Sequence, residues 1–152
     1  MIAARCLGGA ERCLEDAFGY AVEREQFGER IIEFQGVSFP LAEAVSDLAA
    51  ARAFTYQVAW EVTQGTLDPK TLHAKAASIK LFASEMANRV VDSCVQVLGG
   101  RGYMRENAVE RFYRDLRVDR IWEGTSEIQK VVLVNEMRKR GTSPVAAWPK
   151  QA

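Results

Sequence analysis

DPKTLHAKAASIKLFASEMANRVVDSCVQVLGG, residues 68–100, reads as one long helix with both ends marked. Asp68 is a cap, and Pro69 suits the first helical position because proline lacks only a donor that would be orphaned there. Ile79, Phe82, Met86, Val90, Cys94 and Val97 then recur at steps of three and four, the period of one helix face. Gly99, Gly100 and Gly102 stop the helix. Upstream, Ala44, Leu48, Ala51, Thr55, Val58 and Val62 keep the same spacing, with Pro40 tolerated in the first turns and Gly65 at the end. Further upstream Ala10, Leu14, Ala17 and Ala21 place a helix over roughly Ile2 to Glu23. Downstream, Val109, Phe112, Tyr113 and Leu116 mark a shorter helix. Ser126, with Gln129 three residues on, forms a capping-box pattern opening a last helix through Ile128, Val131, Val132 and Asn135. Periodicity fails from Arg24 to Phe34, which reads as a connection. No segment shows sustained two-residue alternation, so the expected fold is all-α: an up-and-down antiparallel four-helix bundle with an additional carboxy-terminal helix. Its expected extent is residues 1–141, with 142–152 as a loose tail carrying Pro144 and Pro149.

Composition narrows the function classes. The 152 residues suffice for one domain with a sizeable core, and 48% hydrophobic with 26% charged residues is ordinary for a globular chain. Twenty basic residues balance twenty acidic ones, so no general attraction to nucleic acid or an anionic membrane is expected. Cys6, Cys13 and Cys94 form no C-x-x-C pair, and His73 is the lone histidine, which leaves too few soft ligands for zinc. A di-metal carboxylate bundle would need Glu-x-x-His pairs, but Lys70 stands three residues before His73. With reduced thiols, no apolar run of membrane-spanning length and no signal-like start, the expected place is the cytoplasm or another reducing compartment.

Chemistry is sought where the helical pattern stops. In Ile121-Trp122-Glu123-Gly124-Thr125-Ser126-Glu127-Ile128-Gln129 a carboxylate lies between an aromatic residue and a glycine, just before a helix start whose free amides favour an anion or a cofactor's polar atoms. A solvated loop acid beside an ordinary cap gives the same pattern. In Val95-Gln96-Val97-Leu98-Gly99-Gly100-Arg101-Gly102-Tyr103 the glycines allow close backbone approach to a ligand, or simply end a helix. In Arg24-Glu25-Gln26-Phe27-Gly28, followed by Phe34-Gln35, a guanidinium could fork onto a phosphate. A dipole partner at a helix end would also be an arginine. His73 and the stripe of Phe82, Met86 and Cys94 are expected to be structural.

Taken in order, R-x-Q-F-G-x-x-I-x-x-F-Q, Q-x-x-G-G-x-G-Y, E-R-x-Y-R-D (Glu110 to Asp115) and E-G-T-S-E-I-Q resemble the marks of the acyl-CoA dehydrogenase family over about residues 1 to 140. The resemblance implies the carboxy-terminal helical domain of a flavoenzyme that converts an acyl-CoA to its trans-2-enoyl-CoA, as in β-oxidation. Glu123 matches the base that removes the α-proton as the β-hydride passes to FAD, and Gly124 would line the substrate. A few branches of the family place their base on the first helix instead; the acid at Glu123 argues against those. Thr125, Ser126 and Glu127 match contacts to FAD in the same subunit. Arg24, Gln26, Phe34, Gln35, Gln96 and Gly100 match contacts to a neighbour's FAD, the arginine at the pyrophosphate. The implied assembly is a homo-oligomer, dimer or tetramer, with electron transfer flavoprotein as electron acceptor. The family's amino-terminal helical and middle β-domains are not in these residues, and the start one turn into a family helix points to a piece of a longer chain. A helical assembly module that has lost catalysis and an acyl-CoA oxidase-like enzyme are the competing readings.

Overall fold

The computed structural model describes residues 1–65 and 67–146. Five helices dominate: α1 (Ile2–Glu23), α2 (Gln35–Gln64), α3 (Pro69–Leu98), α4 (Ala108–Arg117) and α5 (Ser126–Arg140). A short α6, Ser143–Ala146, lies against α3 at the head of the segment expected as a tail; the rest of that segment lies outside the described residues. The all-α bundle expected from the periodicity is the fold observed.

The connection after α1 is more regular than its sequence suggests. Glu25–Gln26 (β1) and Glu29–Arg30 (β2) pair antiparallel as a minimal hairpin, and both loop residues, Phe27 and Gly28, have positive φ, +56° and +87°. That is the two-residue turn whose twist matches paired strands. A 3-10 turn, Ile31–Glu33, leads into α2.

Directions follow from the contacts. Glu61 pairs with Lys75 and Asp47 with Arg89, while Phe54 meets Phe82 edge-on at 6.3 Å, so α2 runs antiparallel to α3. Lys80 meets Gly124 and Glu85 meets Ser126, which sets α5 alongside α3 as well. Thus α3 is the central helix, packed by α1, α2, α4 and α5. Its small residues Ala74, Ala77, Ala83 and Ala87 are buried beside Met86, Val90, Val91 and Cys94, so its neighbours approach closely. The α1 face of Cys6, Ala10, Cys13, Ala17 and Ala21 is fully buried. Burial pushes the thiols of Cys6, Cys13 and Cys94 up to about 12, so all three are inert core groups.

Three readings need correction. Phe82 is 37% exposed, because its stripe position falls at the edge of the α2–α3 seam, where it meets Phe54. Val62 is half-exposed while its neighbour Glu61 is buried, drawn inward by the Lys75 ammonium at 2.5 Å. The cap of α5 is Thr125, whose Oγ1 accepts from the Ile128 amide; Ser126 is buried and faces Glu85 instead. No described helix is long and apolar enough to cross a membrane.

Candidate functional site

At the start of α5 the chain makes an unusual turn. Glu123 has φ +52° and Gly124 φ +86°, two consecutive left-handed residues, and for a glutamate this costs about 1 kcal/mol or more. The conformation turns the Glu123 side chain outward, where it is exposed and makes no ion pair among the described residues. The Glu123 amide likewise has no acceptor among the described backbone groups. A carboxylate and an open N–H therefore leave the same residue.

The turn is held on both sides. Ahead of it, Trp122 Nε1 donates to Asp119 Oδ1 at 2.7 Å, and Arg5 Nη1 from α1 donates to the same oxygen at 2.5 Å. The Arg5 guanidinium also lies 4.9 Å from the centre of the Trp122 ring. Behind it, the Gly124 carbonyl accepts from Lys80 Nζ at 2.7 Å and from Gln129 Nε2 at 3.1 Å, and Gln129 Nε2 also reaches the Glu123 carbonyl at 3.1 Å. Left-handed backbone favours glycine at 124, and a Cβ there would lie 2.5 Å from Gln129 Nε2 and push aside the amide that holds the two carbonyls.

Beneath the turn, Glu85 Oε1 accepts from Ser126 Oγ at 2.6 Å and Arg120 Nε at 2.9 Å. Burial pushes the Glu85 carboxyl upward, but the hydrogen bonds from Ser126 and Arg120 outweigh it and hold the group below the usual carboxylate range. The Ser126 hydroxyl proton is thereby committed to Glu85. The Glu127 carboxylate folds back on its own amide and the Thr125 hydroxyl, which hold it below the usual range, as suits an acid at a helix start.

The other candidates gather elsewhere. Arg24 and Gln26 lie at the end of α1 and in the hairpin, and Phe34 and Gln35 at the start of α2; Gln96 and Gly100 lie at the end of α3. Arg101 sits 5.4 Å from the Tyr20 ring, tying the end of α3 to the end of α1. Arg24, Gln26, Gln35, Gln96 and Gly100 are all exposed, and Arg24 makes no ion pair among the described residues. Gln96 stands eleven residues beyond Glu85 on α3, about 16 Å at the helical rise. The candidate residues thus form two patches. Gly102, part of the glycine-rich run, serves packing, since a Cβ there would meet the Val95 carbonyl oxygen at 2.6 Å.

Sequence reasoning missed Lys80, Arg5, Asp119 and Gln129 as supports of the turn. Lys80 carried a usable signal: with Ala77, Ser84, Ala87 and Val91 it occupies a three-four stripe of α3 that is buried throughout, and a charge on such a stripe asks for a partner.

Comparison with known proteins agrees with this geometry. The family described as acyl-CoA dehydrogenase, C-terminal domain, matches residues 1–137. The caffeyl-CoA reductase-Etf complex subunit CarC of Acetobacterium woodii is 40% identical over 140 residues, 91% of this chain and 36% of that protein. The butyryl-CoA dehydrogenase structure from Megasphaera elsdenii superposes with a TM-score of 0.85 at 38% identity, over 90% of this chain and 35% of that one. The FAD complex of PigA superposes at 0.84 with 32% identity, over 91% of this chain and 35% of that one. The chain thus spans about a third of the length of the relatives it matches. With the family matched from its first residue to the last turns of α5, this chain belongs to the acyl-CoA dehydrogenases and corresponds to their carboxy-terminal helical domain.

Proposed function

We propose that the chain supplies the general base of an FAD-dependent acyl-CoA oxidoreductase, with Glu123 removing the α-proton of an acyl-CoA thioester as the 2-enoyl-CoA forms. The observation that carries this reading is the outward presentation of Glu123 on a left-handed backbone, clamped before and behind. Strain held by surrounding structure is characteristic of functional positions, whereas a solvated loop acid needs no such support. Bound FAD would supply the hydride acceptor.

The chain's own groups divide the remaining work. The Glu123 carboxylate takes the proton, and the open Glu123 amide suits the thioester carbonyl, where negative charge develops as the proton leaves. Gly124 adds no side chain beside the substrate. Trp122, 43% exposed, offers one apolar wall; since Glu123 itself is exposed here, the rest of the water exclusion that a carboxylate base needs falls to the substrate and to the rest of the enzyme.

Support for FAD comes from Arg24, which has no ion-pair partner among the described residues and whose fork suits a pyrophosphate, and from the FAD complex of PigA. We assign Thr125, Ser126 through its backbone, and Glu127 to the FAD of this subunit. Arg24, Gln26, Phe34, Gln35, Gln96 and Gly100 belong to the FAD of a neighbour in a dimer or tetramer, a division that suits the two patches. Electron transfer flavoprotein is the proposed electron partner, in keeping with the Etf complex named for the Acetobacterium relative. That relative's being a reductase favours a second reading in which the reaction runs toward the saturated thioester, beyond β-oxidation, and Glu123 returns the proton it would otherwise remove.

The test isolates the proton step. An acyl-CoA whose β-carbon is replaced by sulfur cannot give up a hydride, so the flavin-loaded enzyme carrying this domain should exchange only its α-hydrogen into D2O. Exchange is expected with Glu123 and is expected to be lost in Glu123→Gln; equal exchange by both would remove Glu123 as the base.

A further inference from the structure

Lys80 sits beneath the base with no evident structural reason to be charged. It is 7% exposed on the central helix α3, and among the described residues it makes no ion pair within 4 Å. Its hydrogen bond goes to the Gly124 carbonyl at 2.7 Å. A buried ammonium costs stability unless it is compensated, and an apolar side chain of similar volume would pack there more cheaply. Burial pushes its pKa down, and the compensation consists of that carbonyl and of the Asp119, Glu85 and Glu123 carboxylates at longer range, which favour its charged form. Arg5, from α1, on Asp119 and Arg120 on Glu85 are the other cations facing this cluster.

We propose that Lys80 is the positioning residue of the Glu123 base: its ammonium pins the Gly124 carbonyl, and so holds the left-handed turn that aims the carboxylate. The proposal rests on the reading of Glu123 as the base. The geometry of the turn explains why a pin is needed. Two successive left-handed residues are unfavourable on the glutamate side, and the Glu123 carboxylate makes no ion pair among the described residues that could hold it. The backbone must therefore be fixed through its carbonyls. Gln129 assists, but its amide is shared between two acceptors at 3.1 Å, whereas Lys80 makes the shorter, charge-assisted bond. Asp119, Trp122 and Arg5 anchor the other end of the turn. A base displaced by about 1 Å loses on the order of a hundredfold in rate while the substrate's remote contacts stay intact.

The experiment uses the full-length flavin-loaded enzyme that carries this domain. Lys80→Met keeps an unbranched side chain one atom shorter and removes the donor and the charge. Anaerobic flavin reduction at saturating acyl-CoA should slow by roughly 10- to 100-fold, while the dissociation constant of the enoyl-CoA product stays within about twofold. A crystal structure of the variant should find Glu123 out of the left-handed region. An unchanged rate, an equal loss of rate and product affinity, or Glu123 still at positive φ would each overturn the proposal. Should Lys80→Met fail to fold, Lys80→Gln keeps a polar, uncharged side chain one atom shorter and should give a comparable slowing with the same unchanged product affinity; a wild-type rate there would be equally fatal. Glu123→Gln separates the two claims. A slow Glu123→Gln beside a wild-type Lys80→Met sinks only Lys80, whereas a fast Glu123→Gln sinks the base itself.

Discussion

At the scale of single residues, the site is a set of side chains whose hydrogen bonds are already committed, leaving Glu123 open. Ser126 and Arg120 share Glu85 Oε1, and their hydrogen bonds outweigh the burial that would raise its carboxyl, holding it below its ordinary value. A carboxyl held low in the folded state contributes stability that is present above its unfolded value and is lost as pH falls through its folded one. Ser126→Ala removes one of the two donors, so the variant should be less stable than the wild type near neutrality, and the gap should narrow below about pH 4. Urea midpoints measured between about pH 3 and 7 would check this; a gap that did not change with pH would show that Glu85 does not depend on Ser126. The position of Glu123, the proposed base, stood out in the run from Trp122 to Gln129, because a carboxylate before a helix start is a local pattern, while its role came from the family resemblance. Its backbone was not, since nothing in glutamate's own preferences announces a left-handed residue. Nor were its supports: Lys80 is 44 positions from Gly124 and Arg5 is 114 from Asp119, beyond the reach of any local spacing.

At the scale of helices, the three-four stripes identified each long element, and the Asp68 cap is realised, with its carboxylate accepting from Lys70 and Thr71 amides. Stripes were less informative about which residues are inside. A single stripe describes a helix buried on one face, and α3 is packed by four helices, so its buried set extends well beyond the stripe and includes Lys75 and Lys80. The α2–α3 seam closes over a buried pair, Glu61 Oε2 to Lys75 Nζ at 2.5 Å, with Gln57 Nε2 donating to the other oxygen at 3.3 Å. Removing one partner strands the other charge in the interior, so Lys75→Met should cost roughly 3–5 kcal/mol. The double change Glu61→Leu with Lys75→Met should recover most of that loss, because an apolar pair needs no compensation. Denaturant unfolding of the single and double variants decides it, and a double variant as unstable as the single one would mean that packing, not charge, governs the seam.

For the molecule as a whole, large apolar side chains remain on the outside. Phe39, Val45, Tyr56 and Trp60 of α2 and Ile128, Val131, Val134 and Met137 of α5 are 41–67% exposed, more than scattered surface residues would explain. These faces are where we expect neighbouring subunits and the rest of the enzyme to pack. The purified chain should therefore elute from a sizing column as a species larger than a monomer and should carry no flavin absorbance, since its two patches offer too few contacts to immobilise the cofactor. A monomer with stoichiometric FAD would contradict both expectations.

The central claim is that Glu123 moves the substrate proton. It is tested most directly by mixing the flavin-loaded, full-length Glu123→Gln enzyme anaerobically with acyl-CoA and following the flavin absorbance. Full FAD occupancy and substrate binding are expected, with bleaching slowed by roughly 10²- to 10⁴-fold, the usual worth of a general base. Bleaching at the wild-type rate in an enzyme that retains its FAD would contradict it.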